Sequence, residues 1–217
     1  MFVREKMSSP AVTIPPEMPF QDALRLMREK KFRRLPVVNA KGKLIGIVSE
    51  RDLLYAEPSP ASSLSVWELN YLLSQLLVKE LMTKDVISTT PDTPIEAAAE
   101  IMAQRKIGGL PVVDEENRVV GVITETDIFK AFVEMLATDE PGVRLTLDVP
   151  ERAGVLAELA RAIADLGGNI AGVGAYHSDR PDHRRLLVKV QGVNKGQLVD
   201  VLERLGDHVI DARETLR

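Results

Sequence analysis

Two stretches place a hydroxyl three residues ahead of an aspartate: Ser49-x-x-Asp52 in "GKLIGIVSERDL" and Thr124-x-x-Asp127 in "NRVVGVITETDI". Two chemistries use this spacing. A hydroxyl at a helix start and a carboxylate one turn inside form a capping box, which satisfies free backbone N–H groups. The same helix start offers those N–H groups and a favourable potential to a phosphate. A hydroxyl adds a donor, and a carboxylate can accept two hydrogen bonds from a ribose diol. Gly46 and Gly121, just before, would let a ligand approach the strand closely. The residues alone leave capping and ligand binding both open.

The two stretches are parts of a longer repeat. Met7 aligns with Met82, Pro16 with Pro91, Met27 with Met102, "LPVV" at Leu35 with "LPVV" at Leu110, and Asp52 with Asp127, without a gap. Such a register marks two copies of one supersecondary unit. Each copy reads β-α-β-β-α. "VTI" and "VIST" are short extended pieces. A helix follows, with Phe20, Ala23, Leu24 and Met27 on one face of the first copy. In the second copy Thr93 is expected to cap, Pro94 to take the first helical position and Glu96 to complete a capping box. "LPVV" is a buried strand. A turn and a second strand lead to the helix that starts at Ser49 or Thr124. The copies differ in charge: Arg33 and Arg34 of the first are replaced by Gly108 and Gly109 in the second.

Between the copies, "EPSPASS" has loop composition. The stretch that follows predicts a helix capped by Ser65 and Glu68, with Val66, Leu69, Leu72 or Leu73 and Leu76 in an apolar stripe and Trp67 and Tyr71 adding bulk. It packs on its own module or forms a dimer contact. After "ATDEPG" the pattern becomes β-α-β-β-α-β, the ferredoxin-like order. "VRLTLDV" is a strand. "ERAGVLAELARAIADLGG" is a helix with Val155, Leu156, Leu159, Ala160, Ile163 and Leu166 on one side. "NIAGVGAYHS" and "RLLVKVQG" are strands, Asn194 caps a second helix, and "HVIDARE" is the last strand. The fold class is therefore α+β. The divisions are residues 1–56 for the first repeat, 57–80 for the connecting segment, 81–138 for the second repeat and 139–217 for the last domain.

The chain has 217 residues, 45% of them hydrophobic and 28% charged, enough for two or three ordinary cores. The formal net charge of -4 argues against general nucleic-acid binding, which needs a basic face. The absence of cysteine excludes disulfides, thiolate metal sites and a cysteine nucleophile. "MFVREKMSSP" has charges where a signal peptide needs an apolar core, and no apolar run is long enough to span a bilayer. These features lead to the expectation of a cytoplasmic protein without membrane contact.

On "LPVV…GIVSERDL" and "GLPVV…GVITETDI", the stretch from Met7 to Phe132 resembles a pair of cystathionine-β-synthase (CBS) domains, a Bateman module. The resemblance implies a pseudo-twofold unit with two clefts for adenosine-containing ligands such as AMP, ATP or S-adenosylmethionine. Asp52 and Asp127 would bind ribose hydroxyls, Ser49 and Thr124 phosphate. Val12, Thr13 and Ile14, Ile87, Ser88 and Thr89, Leu35 and Pro36, and Leu110 and Pro111 would wall the adenine. Arg33 and Arg34 would reach phosphates, making the clefts unequal. Arg51, Thr126 and Gly109 complete the set. On "DVPERAGVLAELA" followed by "GGNI", the stretch from Val143 to the end resembles an ACT domain. That implies a small effector, often an amino acid, held at Glu151, Arg152, Gly154, Val155, Leu156 and Asn169. Ala153 stands where that family usually has proline. The CBS-CBS-ACT order resembles acetoin-utilisation-type regulatory proteins of bacteria.

No catalytic constellation accompanies these motifs. His177, His183 and His208 lack metal-ligand spacing, and neither a nucleophile elbow nor a P-loop is present. The expectation is a non-enzymatic sensor with these partners: an adenine nucleotide as regulatory ligand, an amino-acid effector, a second copy in a homodimer and a regulated protein. The alternative is a structural dimerisation module with vestigial clefts.

Overall fold

In the computed structural model, described for residues 1–55 and 75–215, the chain divides into two compact units, Met1–Ile128 and Phe129–Arg217. In the first unit each copy contributes a short turn of helix, a longer helix, a two-stranded antiparallel ribbon and a further helix. The first copy runs α1 (Val3–Lys6), α2 (Phe20–Lys30), β1 (Arg34–Val38), β2 (Leu44–Ser49) and α3 (Glu50–Tyr55). The second repeats it as α4 (Val78–Leu81), α5 (Ile95–Arg105), β3 (Gly109–Val113), β4 (Val119–Thr124) and the start of α6 (Glu125–Met135), whose residues from Phe129 on belong to the second unit.

The apolar periodicity of α2 does what its spacing requires. Phe20, Ala23, Leu24 and Met27 are all buried, in one cluster with Leu35 and Val37 of β1, Val48 of β2 and Leu53 of α3. The leading extended pieces are shorter than a strand. Ile14 and Thr89 each make a single parallel bridge, to Val37 and Val112. The cap expected in the second copy differs. α5 starts at Ile95 with Pro94 as its N-cap, and no side chain caps it. The Thr93 hydroxyl instead accepts from Thr89 Oγ1 at 2.8 Å, because Thr93 faces the preceding turn.

The copies exchange their first elements. Val3 of α1 donates its N–H to the Thr93 carbonyl at 2.9 Å, and Val78 of α4 donates to the Met18 carbonyl at 2.9 Å. Val78 is buried in the first copy's core. Ser8 pairs antiparallel with Val122 of β4, and Thr83 with Ile47 of β2. Reciprocal pairing of equivalent residues gives the unit its pseudo-twofold form. It also corrects the reading of Gly46 and Gly121. A Cβ at Gly121 would lie 2.5 Å from Met7 Sδ, and one at Gly46 would strike Met82 Sδ, so the glycines make room for the other copy's methionine rather than for a ligand.

The second unit builds on a four-stranded antiparallel sheet in the order β6 (Asn169–His177), β7 (His183–Gln191), β5 (Gly142–Pro150), β8 (His208–Thr215). Helices α7 (Val155–Asp165) and α8 (Lys195–Arg204) supply its apolar partners. Val143, Leu145, Leu147 and Val149 alternate inward along β5 and pack with Leu186, Val188 and Val190 of β7 and with Leu159, Ile163, Leu198 and Leu202. This is the expected ferredoxin-like order. The buried face of α7 is narrower than expected: Leu159, Ala162 and Ile163 are buried, whereas Leu156 and Ala160 are exposed. Asn194 caps α8 as expected, its Oδ1 accepting from the Gly196 and Gln197 N–H groups at 2.9 and 3.2 Å. Of the stripe expected between the copies, Leu76 packs against the first copy's core. Ser65, Val66, Trp67, Glu68, Leu69, Tyr71, Leu72 and Leu73 lie outside the described residues. Among the described residues no helix is long and apolar enough to cross a membrane.

Candidate functional site

Each hydroxyl-aspartate pair sits where a ribbon ends and a helix begins. Ser49 closes β2 and Thr124 closes β4. Asp52 Oδ2 accepts from the Ser49 N–H at 2.8 Å and from its hydroxyl at 2.7 Å. Asp127 Oδ2 accepts from the same groups of Thr124 at 2.9 and 2.7 Å. The capping reading therefore holds for one carboxylate oxygen. The other, Oδ1, accepts no hydrogen bond among the described residues in either copy, and so has two lone pairs open. Each hydroxyl already donates its proton to the aspartate, so donation to a phosphate requires it to rotate.

The aspartates line separate cavities. Around Asp52 a cavity of about 680 Å³ is walled by Ser49, Arg51, Arg33 and Arg34 together with Ile87 and Gly109 of the other copy. Around Asp127 a cavity of about 240 Å³ is walled by Thr124 and Thr126 together with Val12, Arg33, Arg34 and Leu35 of the other copy. Each cleft thus takes its hydroxyl-aspartate end from one repeat and its apolar wall from the other. Thr13, Ile14, Pro36, Ser88, Thr89, Leu110 and Pro111 do not line either cavity. Ile14, Leu110, Thr89 and both prolines are buried, because the bridges and ribbons turn them toward the cores. Sequence reasoning missed Phe32 and Pro10 in the Asp127 cleft, and Lys106, Ile107 and Val86 in the Asp52 cleft. The available signal was the repeat itself. Lys31 and Lys106 both take the left-handed conformation that ends their helices, and each delivers the next apolar residue, Phe32 or Ile107, to a cavity wall.

Arg33 and Arg34 line both cavities. Arg34 is half-buried, and its Nη1 is fully buried without a hydrogen-bond partner among the described residues. Its guanidinium lies against the second copy's glycines: a Cβ at Gly108 would be 2.8 Å from Arg34 Nη2, and one at Gly109 2.5 Å from Nη1. Burial pushes the Arg34 guanidinium below its ordinary value, Arg33 pushes it the same way, and Glu125 opposes them.

In the second unit a cavity of about 420 Å³ lies at the β5–α7 loop, and Glu151, Arg152, Gly154, Val155 and Leu156 all line it. Gly154 takes a φ of 91° as the N-cap of α7, a conformation that suits glycine. Arg152 donates to both Glu158 oxygens, at 2.9 and 2.6 Å, and Glu151 pairs with Arg184 at 3.1 Å. An effector carboxylate must therefore compete with Glu158 for Arg152. The hydrogen bond from Arg152 holds Glu158 below the usual carboxylate range. Asn169 does not line this cavity; it is exposed at the start of β6, opposite Gln191. Among the described residues no three His, Cys, Asp or Glu side chains form a metal-binding group.

Comparison with known proteins identifies both units. The CBS domain family matches residues 3–59 and 78–134, and the TTHA0829-like ACT domain family matches residues 141–213. Over 132 residues the chain is 39% identical to the inosine-5'-monophosphate dehydrogenase of Korarchaeum cryptofilum, covering 60% of this chain but only 24% of the length of that relative. A crystal structure of CBSX2 in complex with AMP superposes with a TM-score of 0.52 at 30% identity, covering 61% of this chain and 96% of the other; CBSX2 is from Arabidopsis thaliana. A Vibrio cholerae protein named for acetoin utilization (AcuB) superposes with a TM-score of 0.53 at 32% identity, covering 64% and 95%. With two matched repeats, exchanged first elements and a ferredoxin-like unit behind them, the chain belongs to the CBS-domain proteins, as a tandem CBS pair followed by a TTHA0829-like ACT domain.

Proposed function

We propose that this chain is a ligand-sensing regulatory protein whose CBS pair binds an adenine nucleotide. One observation carries the reading. In both clefts an aspartate has one oxygen fixed by its own helix start and one without a partner among the described residues, in a cavity that also contains Arg33 and Arg34. A fixed acceptor beside cations suits a ribose carrying a phosphate. CBSX2, with which the pair superposes, was crystallised with AMP. The role is regulatory rather than catalytic: the dehydrogenase relative matches this chain over 24% of its own length. The protein acts in the cytoplasm as a homodimer, since twofold association is the commonest oligomer form. Native mass spectrometry of the purified protein tests both points. The expected result is a dimer of the 23.9 kDa chain carrying a co-purified adenine nucleotide. A bare monomer would contradict both.

The ACT unit takes a small amino acid, with its carboxylate at the start of α7 and Arg152 released from Glu158. Thermal shift of the full chain against the twenty amino acids at millimolar concentration tests this. A shift with one or a few of them is expected, and no shift with any leaves this unit a structural part. A second reading of the clefts rests on the same capping bonds: Oδ2 of each aspartate is satisfied without any ligand. In that reading the aspartates serve stability alone.

A further inference from the structure

The two clefts have two aspartates and two hydroxyls, but the arginine pair occurs once. Arg34 opens β1 opposite Ser49, at the end of the ribbon that leads to Asp52. Its guanidinium lies against Gly109, which is paired with Thr124 at the end of the ribbon that leads to Asp127. The side chain thus lies between the two hydroxyl-aspartate ends and lines both cavities. A second arginine in the equivalent place is sterically excluded. Any side chain at Gly109 would start with a Cβ 2.5 Å from Arg34 Nη1 and 2.9 Å from the Ile123 carbonyl. The replacement of Arg33-Arg34 by Gly108-Gly109 is therefore the space that one arginine occupies, and the asymmetry follows from packing.

We propose that Arg34 is a single phosphate anchor shared by both clefts, so that a phosphate-bearing nucleotide in one weakens binding of a second in the other. This rests on the nucleotide reading above and adds a coupling to it. The buried Nη1 has no hydrogen-bond partner among the described residues, so a shift of the guanidinium that brought it to an acceptor on a ligand would satisfy a donor now left unpaired. One guanidinium committed to the first phosphate cannot give the same donors to the second. The first phosphate also cancels charge that would draw in the next. Arg33 lines both cavities too, but it is exposed, so water and salt screen it. Loss of one charge-assisted hydrogen bond corresponds to a gap of roughly 10- to 150-fold between the two binding events. Adenosine, without a phosphate, does not call on Arg34, and its two events lie closer together.

Calorimetric titration of the full chain with AMP and with adenosine tests this, using wild type, Asp52→Ala, Asp127→Ala and Arg34→Gln. AMP is expected to bind wild type in two steps at least about tenfold apart. In the single aspartate variant that disables the tighter cleft, the surviving cleft should bind AMP about tenfold or more tighter than the second wild-type step. Only a coupling between sites produces that gain. Arg34→Gln should close the AMP gap, and its melting temperature, measured in parallel, shows that the variant is folded. If AMP binds but the surviving cleft keeps the second wild-type affinity, or Arg34→Gln leaves the gap intact, the shared anchor is wrong and the nucleotide reading stands. If neither AMP nor adenosine binds wild type, the nucleotide reading falls and the coupling with it.

Discussion

At the scale of a single residue, Asp207 carries a pH prediction for the ACT unit. It is buried before β8 and accepts no hydrogen bond among the described residues. Burial pushes its carboxyl above the usual range, Glu158 adds to the rise, and Arg152 opposes it. A carboxyl whose value is raised on folding favours the folded state below its ordinary value near 4, and that contribution is lost as the pH rises through the raised value. Asp207→Asn should therefore raise the melting temperature at pH 7, and the difference from wild type should shrink as the pH falls below about 4. Equal melting temperatures at pH 7 would contradict the assignment. Other residues were only partly legible in sequence. Ser49, Asp52, Thr124 and Asp127 were readable, because capping and ligand binding need the same spacing. The role of Gly109 was not, since the side chain that fills its space lies 75 positions away in the first copy, at Arg34.

At the scale of elements, periodicity identified the long helices and the ribbons. The face of α2 and the inward alternation of β5 follow from local spacing alone, because burial on one side selects every third or fourth residue of a helix and every second residue of a strand. Periodicity could not show which copy each first element joins. The turns α1 and α4 are four residues each, too short to carry a period, and their partners are set by tertiary contacts. The consequence is testable. Val3 is fully buried, although it is the third residue of the sequence, because α1 is bonded to the second copy through Thr93. Val3→Ala should cost roughly 1.5–3 kcal/mol of stability, measured by denaturant unfolding, the range for a fully buried valine. A loss near zero, normal for a frayed terminus, would contradict the exchange.

For the whole molecule, the exchange of first elements is what makes two repeats into one unit with composite clefts. Each cleft takes an apolar wall from one copy and a hydroxyl-aspartate end from the other, so neither copy alone encloses a cleft. The ACT unit has its own core and its own cavity at the β5–α7 loop. The central claim is that the aspartates hold a nucleotide rather than only capping their helices. Calorimetric titration of AMP into wild type, Asp52→Ala, Asp127→Ala and the double variant, with unfolding stability measured in parallel, tests it most directly. The account predicts that each single variant weakens its own binding event about 10- to 150-fold, the loss of a charge-assisted hydrogen bond, and that the double variant loses both. Stability should fall by only about 1 kcal/mol per site, the usual cost of a lost cap. Equal AMP affinity in all four proteins, with only the stability loss, would contradict it.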